Sequence, residues 1–230
     1  MTRERNRAIV QQNVTQVEQE IQEACDRSGR PRDSVQLIAV TKSVSNDIVQ
    51  MLVDLGLTCF GESRPQELWK KSEALPSVHW HMIGHLQTNK VDKTIPLVEL
   101  THSVDRLRLL NALEALEHST RILLEVNMSR EVSKHGFAPE EMGELVPHLK
   151  TLKKVRVCGL MTMAAFAEDV EECRGTFRDL RELREELAPL LEPEHQLTEL
   201  SMGMSNDFAI GIEEGATLIR VGSALFEGLD

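Results

Sequence analysis

The feature that most constrains this chain is a regular alternation of short apolar runs with longer amphipathic segments. Eight runs rich in β-branched and aliphatic side chains are separated by seven segments with helical spacing. A strand-helix alternation of this kind is typical of a parallel sheet with helices on its faces. The runs cover residues 36–41, 58–61, 78–83, 97–104, 121–126, 155–161, 196–201 and 217–221.

Eight strand-helix units favour closure of the sheet, so the predicted fold class is α/β, a (β/α)8 TIM barrel. Such barrels take about 250 residues, close to the 230 of this chain. No linker or change of composition divides the sequence, so we expect residues 1–230 to form a single domain. An open doubly wound sheet is the alternative that the pattern leaves open.

The segments between the runs are expected to form the outer helices of the barrel. They cover residues 46–55, 65–74, 86–93, 105–116, 139–152, 170–191 and 207–214. The longest is predicted to bury one apolar face, formed by Phe177, Leu180, Leu183, Leu187 and Leu190. An amphipathic segment at residues 8–25 predicts an extra N-terminal helix, which we expect to cover the barrel bottom.

Charge and cysteine usage exclude some partners and locations. Lysine and arginine number 26 against 37 aspartates and glutamates, and the net charge of −11 disfavours broad contact with nucleic acid or an anionic membrane. The chain opens without the apolar core of a signal peptide and has no apolar run of membrane-spanning length. We expect a cytoplasmic protein in which Cys25, Cys59, Cys158 and Cys173 are reduced thiols.

Polar residues and glycines follow the apolar runs, where the chemistry of such barrels belongs. Lys42 is the most unusual of them, because it ends the apolar run QLIAVT although lysine is seldom buried. We expect one face of the barrel to collect these residues, which include Lys42, Glu62, His85, Ser103, Asn127, Thr162, Ser205 and Ser223.

The loops after the last two runs have the residues of a phosphate site. In RVGSALFEG, Gly222 lets the backbone approach an anion, and Ser223 offers a hydroxyl at the start of a helix. In SMGMSND, Gly203 and Ser205 would form a second wall. Phosphate groups often bind at these two loops in TIM barrels. Serine and glycine before a helix also form ordinary caps, so neither motif is specific alone.

Lys42 would face such a phosphate across the barrel mouth. A partly desolvated lysine has a lowered pKa and becomes an amine that forms a Schiff base with an aldehyde. The implied ligand is a phosphate-bearing aldehyde, which pyridoxal 5′-phosphate (PLP) is. Arg220 would face the pyridine nitrogen and keep it unprotonated, which weakens the ring as an electron sink. The alternatives are a lysine that reaches solvent and an arginine in a buried ion pair with a glutamate.

Eight motifs, in order along nearly the whole chain, are similar to those of a known family. They are LIAVTK at residues 37–42, FGESRPQE at 60–67, WHMIGHLQTNK at 80–90, HSVDR at 102–106, SKHGF at 133–137, GLMTM at 159–163, LSMGMSNDF at 200–208 and IRVGSALFEG at 219–228. Taken together they are specific. The sequence resembles the pyridoxal phosphate homeostasis proteins, also called the YggS/PROSC family of PLP-binding proteins.

The resemblance implies a single-domain barrel similar to the N-terminal domain of alanine racemase, with PLP as an internal aldimine on Lys42. It also implies phosphate contacts from the serines and glycine of the last two motifs, and an arginine near the pyridine nitrogen. The candidate cofactor-binding residues are Lys42, Ser201, Ser205, Arg220, Gly222 and Ser223.

Proteins of this family are thought to bind, buffer and hand over PLP in vitamin B6 homeostasis rather than to catalyse a reaction. The resemblance therefore implies PLP-dependent apoenzymes as acceptors, and we expect a monomer. Two positions depart from the family pattern: Ser63 stands where an asparagine is common, and Ser223 where a threonine is common. The second exchange retains the hydroxyl group.

The chain contains no tyrosine. Alanine racemases of this barrel class use a tyrosine from a partner's second domain as one of two opposed acid-base groups. The alternative function is a small PLP-dependent racemase or related amino-acid enzyme, with His85, Cys158 or Lys134 as the second base. No metal site is predicted, because no carboxylate or cysteine completes a ligand set with His79, His81 and His85.

Overall fold

A closed parallel barrel of eight strands forms the centre of the protein. The computed structural model describes residues 3–131, 135–165 and 169–229. The strands are β1 (Gln36–Val40), β2 (Cys59–Glu62), β3 (His79–Met82), β4 (Leu100–Val104), β5 (Thr120–Glu125), β6 (Val155–Met161), β7 (Glu199–Met204) and β8 (Leu218–Val221). Each strand pairs with its neighbours in sequence, and β8 closes the barrel on β1. The predicted TIM barrel is confirmed, and the open doubly wound alternative is wrong.

Helices connect the strands on the outside of the barrel. Those of the described residues are α1 (Arg3–Ser28), α2 (Asn46–Asp54), α3 (Pro65–Ala74), α4 (Val91–Thr94), α5 (Leu107–Glu114), α6 (Met142–Leu149), α7 (Cys173–Leu191), α8 (Phe208–Glu213) and α9 (Ser223–Phe226). None of these helices combines the length and the apolar character needed to cross a bilayer. All four cysteines are unpaired thiols, as expected.

Helix α7 buries a slightly different face from the one predicted. Phe177, Leu180 and Leu187 are buried, but Leu190 is 49% exposed and Leu191 is buried in its place. At 3.6 residues per turn, Leu191 lies about 40° from Phe177 around the helix axis, and Leu190 about 140° from it. The assignment of Leu190 to the core face was therefore wrong.

The N-terminal helix α1 is present, but it does not cover the barrel bottom. It packs on α2, α8 and α9, with Val10, Val17 and Ile21 buried. The Asn13 amide donates hydrogen bonds to the Leu225 and Glu227 carbonyl oxygens at 3.2 and 2.9 Å. An apolar helix face stabilises the protein wherever it finds an apolar partner, and the outer helices supply that partner here. The N-terminal ends of the strands instead surround a cavity of about 430 Å³.

Strand β7 lies further along the chain than predicted, and this moves a candidate site residue. The seventh run was placed at residues 196–201, whereas β7 spans Glu199–Met204. Its register is set by Gly159 of β6, where an added Cβ would lie 1.8 Å from the Glu199 carbonyl oxygen. Only glycine permits that approach between the two strands. Ser201 is therefore in the middle of a strand, not at its end.

The barrel interior contains both apolar and polar side chains. Its apolar part consists of Ile38, Leu100, Leu123, Met161 and Leu218. Branched apolar residues usually fill the interior of a TIM barrel. Here a column of polar side chains from β3, β4, β7 and β8 occupies the remaining space, and these side chains are buried: His81, His102, Ser201 and Arg220.

Candidate functional site

A cavity of about 540 Å³ lies at the C-terminal ends of the strands, on the face that was predicted to carry the chemistry. Five of the six candidate cofactor-binding residues line it: Lys42, Ser205, Arg220, Gly222 and Ser223. They come from the ends of β1, β7 and β8, which are neighbours in the closed barrel. The cavity therefore brings together an amine, two hydroxyl groups, a guanidinium group and a close backbone segment.

Lys42 is an exposed residue on the turn that follows β1. Thr41, just before it, is fully buried. The sequence predicted a partly desolvated lysine, and this was wrong because the side chain begins one residue beyond the buried end of the strand. Lys42 has no hydrogen-bond or ion-pair partner among the described residues. Its amine is thus accessible at the mouth of the cavity.

A buried ion pair anchors the backbone next to Lys42. The Lys71 ammonium donates hydrogen bonds to the Thr41 carbonyl oxygen at 2.6 Å and to Glu62 Oε1 at 2.5 Å. The Thr41 hydroxyl donates to the same Glu62 oxygen at 2.9 Å. Both charged side chains are buried, and Glu62 Oε2 has no partner within the described part of the chain. Lys71 and Glu62 therefore hold the turn from which Lys42 projects.

The loops after β7 and β8 meet at Ser205. Its hydroxyl oxygen accepts hydrogen bonds from the Gly222 and Ala224 backbone amides at 3.1 and 3.4 Å. A Cβ on Gly222 would lie 3.2 Å from the carbonyl oxygen of Val40 at the end of β1, so a side chain there would press the loop away from the strand. The Ser205 oxygen thus takes both amide hydrogens, and the hydroxyl hydrogens of Ser205 and of the exposed Ser223 are the donors this loop pair offers to an anion.

Arg220 points into the cavity from β8 and is only 4% exposed. Its guanidinium donates hydrogen bonds to Ser201 Oγ at 2.5 Å and to the Thr162 carbonyl oxygen at 2.9 Å. No carboxylate lies within ion-pair distance of it in the regions that the structure describes, so the expected alternative, a buried ion pair with a glutamate, is wrong. Burial lowers the pKa of Arg220 to about 10, and the charges of Asp207 and Glu125 oppose that shift.

Ser201 is fully buried and does not line the cavity. Its hydroxyl lies between Arg220 and the Nδ1 atom of His102, 2.8 Å away. Ser201 therefore reaches the cavity only through Arg220. Direct contact of Ser201 with a bound cofactor stays a prediction.

Two titratable residues that sequence reasoning missed also line the cavity, Asp207 and Cys173. Asp207 Oδ1 accepts a hydrogen bond from the Met204 amide at 2.5 Å, and burial raises the pKa of its carboxyl group. Burial raises the pKa of the Cys173 thiol to about 11. Asp207 lies in the SMGMSND motif and could have been found there, whereas a single cysteine at a helix start carries no sequence signal.

The candidates for a second acid-base group are not in this cavity. His85 is paired with Asp105 at 2.9 Å. Cys158 lines a different cavity, where its sulfur accepts a hydrogen bond from Arg121 Nε at 3.4 Å. Lys134 lies outside the described residues.

The histidines do not form the grouping that the sequence analysis considered. His79 pairs with Glu99 at 2.8 Å, and His81 lies inside the barrel. His85 instead joins Asp105 and His135, whose ligand atoms lie within 4.8 Å of one another.

Arg106 completes this group at the barrel rim. Its Nη1 atom donates a hydrogen bond to Asp105 Oδ1 and lies 3.4 Å from His85 Nδ1. The guanidinium neutralises the Asp105 carboxylate, so the four side chains form an ion-pair cluster.

The departure at Ser63 lies at the cavity wall, beside Gly84. A Cβ on Gly84 would lie 2.3 Å from the Ser63 carbonyl oxygen, so the two loops are in backbone contact.

Fold and site together define a barrel of the alanine racemase N-terminal-domain class. The sequence profile described as "Alanine racemase, N-terminal domain" matches residues 12–230. An alanine racemase from Corynebacterium glutamicum has the same fold, with a TM-score of 0.73 at 14% identity, over 97% of this chain and 63% of that one.

Closer relatives narrow the class to one family. A pyridoxal phosphate homeostasis protein from Aquifex aeolicus is 41% identical over 221 residues, which are 94% of this chain and 96% of the relative. One from Bos taurus is 34% identical over 91% of this chain and 84% of its own length. The chain belongs to the family of pyridoxal phosphate homeostasis proteins.

Solved structures agree with this assignment. A protein of unknown role from Bifidobacterium adolescentis superimposes with a TM-score of 0.91 at 33% identity, over 96% of both chains. PipY of Synechococcus elongatus, solved with PLP bound, superimposes with a TM-score of 0.77 at 35% identity, over 90% of this chain and 99% of that one.

Proposed function

We propose that this protein binds PLP covalently through Lys42 and acts in PLP homeostasis as a carrier or buffer rather than as a catalyst. The observation that carries the proposal is the cavity at the C-terminal ends of the strands. An unpaired amine, a set of anion donors and a buried arginine line it together. Its family membership supports the same function, because relatives are named for PLP homeostasis and PipY has been solved with PLP.

The residues of the cavity fit the functional groups of PLP. The aldehyde needs an accessible amine, which Lys42 provides. The phosphate needs hydrogen-bond donors, and Ser205 and Ser223 supply hydroxyl groups beside the close backbone at Gly222. The pyridine nitrogen needs a hydrogen-bond partner. Arg220 lines the cavity, and its hydrogen bonds to Ser201 and Thr162 hold its guanidinium in place there. When bound, PLP supplies a reversible carbonyl for the amine and an electron sink for attached amino acids.

The residues around the pyridine ring of a bound PLP favour storage of the cofactor over catalysis. An arginine only donates hydrogen bonds, so Arg220 facing the pyridine nitrogen would keep that nitrogen unprotonated and weaken PLP as an electron sink. Apart from Lys42 and Arg220, the titratable groups lining the cavity in the described residues are Asp207 and Cys173, and the pKa of the Cys173 thiol, about 11, makes that group a poor base near neutral pH. His85 and Cys158 lie elsewhere. The racemase alternative has no observation in its favour.

We take residues 1–230 to act as one PLP-binding domain in the cytoplasm, where four reduced cysteines are stable. PLP-dependent apoenzymes are the acceptors that a carrier implies. The large apolar residues exposed in the described chain, such as Leu97 and Leu107, are few, which supports a monomer. Light scattering should therefore give the mass of one chain.

Absorption spectroscopy tests the binding. The purified protein incubated with PLP should show the visible band of a lysine Schiff base, and Lys42→Ala should lose it while remaining folded by circular dichroism. Lys70→Ala, at an exposed lysine on α3, is the matched control and should keep the band. Retention of the same band in Lys42→Ala would sink the assignment of the anchor.

Solvent deuterium exchange separates the carrier from the enzyme. The PLP-loaded protein should not exchange the α-hydrogen of a panel of amino acids beyond the rate of free PLP with the same amino acids. Sustained turnover in the wild type that is lost in Lys42→Ala would contradict the carrier assignment and establish catalysis.

A further inference from the structure

A continuous chain of hydrogen bonds crosses the interior of the barrel. Arg220 Nη1 is 2.5 Å from Ser201 Oγ, Ser201 Oγ is 2.8 Å from His102 Nδ1, and His102 Nε2 is 2.9 Å from His81 Nδ1. All four side chains are at most 5% exposed. Arg220 lines the cavity with Lys42, and His81 lines the cavity at the N-terminal ends of the strands. This series of hydrogen bonds therefore joins the two ends of the barrel.

The direction of each hydrogen bond in this chain follows from its arginine end. Arginine has no acceptor atom, so Arg220 donates and Ser201 Oγ accepts. His102 Nδ1 is the one acceptor within reach of the Ser201 hydroxyl among the described residues, so the buried hydroxyl hydrogen is satisfied only when it goes to an unprotonated Nδ1. His102 consequently carries its hydrogen on Nε2 and donates it to His81 Nδ1.

The imidazoles of His81 and His102 are both neutral, as these hydrogen-bond directions require. Burial lowers the pKa of His81 to about 4, and burial together with His81 and Arg220 lowers the pKa of His102. The charges that face His81 are those of Glu99, Arg121 and His79. Each histidine thus has one tautomer compatible with its neighbours.

Arg220 depends on this chain for its position. Its hydrogen-bond partners among the described residues are two neutral oxygens, Ser201 Oγ and the Thr162 carbonyl. A hydroxyl rotates freely unless a second group takes its hydrogen, and His102 is that group here. Buried polar chains of this kind hold one arrangement when every member is satisfied, and lose it when one member is removed.

We propose that His102 and, behind it, His81 are positioning residues for Arg220. They keep the Ser201 hydroxyl in its accepting orientation, so that the Arg220 guanidinium stays at one place beside the cofactor ring. This inference rests on the proposed binding of PLP in the Lys42 cavity, and it goes beyond that function by naming what controls the arginine. Neither histidine touches the cavity that holds Lys42.

Variants at His102 test the role directly. His102→Phe removes the acceptor for Ser201, and we expect PLP affinity to fall roughly tenfold and the pH midpoint of the Schiff-base band to shift. His102→Asn places an amide oxygen near the position of Nδ1, and should restore both values to within about threefold of the wild type. His81→Leu, one hydrogen bond further away, should act in the same direction with a smaller effect.

His195 provides the matched control. It is as deeply buried, at 1% exposed, and its ring bonds the Leu149 carbonyl and the Val157 amide in a region away from the cavity. His195→Phe should lower the free energy of unfolding but leave PLP affinity and the band unchanged. A loss of PLP affinity in both variants would show that the effect of His102 is only one of stability, and would overturn the proposal.

A double-mutant cycle identifies the route of the effect. In an Arg220→Gln background, His102→Phe should no longer change PLP affinity or the band, because the residue it positions is absent. Additive effects of the two substitutions would overturn the proposal. If His102→Phe does not fold, Ser201→Ala replaces it in the cycle with a smaller change of volume. If the wild type shows no Schiff-base band, the proposed PLP binding is wrong. If the wild type shows the band and His102→Phe leaves it unchanged, only the positioning role of His102 is wrong.

Discussion

At the scale of single residues, the cationic side chains at and near this cavity differ in their hydrogen-bond and ion-pair partners. Lys42 is exposed and unpaired, so its amine is free to react. Arg220 is buried against neutral oxygens, and Lys71 is buried against the carboxylate of Glu62. Desolvating a charge costs several kcal/mol unless its partners compensate. Of these contacts, we therefore expect the loss of the buried Lys71–Glu62 ion pair to lower the free energy of unfolding the most.

Lys71→Met should lower the free energy of unfolding by about 3–5 kcal/mol, because it leaves the Glu62 carboxylate buried without its cation. Urea unfolding measures the change. Lys70→Met is the control at the neighbouring position, where the lysine is exposed and pairs with Glu67, and it should change stability by less than about 0.5 kcal/mol. Equal effects of the two substitutions would contradict the role of the buried pair.

At the scale of the elements, glycines decide how closely strands and loops approach. Gly159 lets β6 lie against the Glu199 backbone, and this contact sets where β7 begins. The same register places Ser201 in the interior and Ser205 at the loop that meets Gly222. The site therefore depends on a packing contact several residues away from it.

Gly159→Ala should destabilise the protein by about 3 kcal/mol or more, because its Cβ would lie 1.8 Å from a backbone oxygen that cannot move without breaking the strand pair. Gly175→Ala is the matched control, because this exposed glycine of α7 has open space around its Cβ position. Alanine there should stabilise the protein by about 0.5–1 kcal/mol. Thermal and urea unfolding of both variants check the opposite signs, and a mild effect at Gly159 would show that β6 and β7 separate easily.

At the scale of the whole molecule, buried titratable groups inside the barrel make stability depend on pH. Burial and the charge of Asp105 raise the pKa of Glu125 from 4.5 to about 7. The folded state therefore binds a proton that the unfolded state releases between pH 4.5 and 7. Stability from Glu125 is fully present below pH 4.5 and is lost as the pH rises through 7. His81 acts in the opposite sense, since its pKa of about 4 means that stability is lost as the pH falls from 6.5 towards 4.

Glu125→Gln removes one of these two effects. Relative to the wild type, the variant should gain about 2 kcal/mol in the free energy of unfolding between pH 5.5 and pH 8, because it no longer ionises inside the barrel. Urea unfolding at the two pH values, on proteins with the same PLP content, measures this gain. Glu117→Gln, at an exposed position, should show the same pH dependence as the wild type. A constant difference between wild type and Glu125→Gln would contradict the raised pKa.

The sequence alone determined the structural features that its hydrophobic periodicity encodes. The alternation of runs and segments predicted the eight strands and the closed barrel, and the position of residues at strand ends placed Lys42, Ser205, Gly222 and Ser223 at one face. These features repeat along the chain, so they follow from local patterns of burial. The serines and glycines facing Lys42 then implied a phosphate-bearing aldehyde such as PLP, and the family motifs implied the same cofactor.

Only the tertiary structure decided which polar side chains meet inside the barrel. His102 and Ser201 are 99 residues apart in sequence, and Lys71 reaches Thr41 across 30 residues. Alternation tells which face a strand residue points to, but the partner across the interior depends on strand order, register and closure. A shift of three residues in β7 was enough to change Ser201 from an expected cofactor contact into the link between Arg220 and His102. That link exists because the closed barrel brings β4, β7 and β8 to a common axis, which no local pattern records.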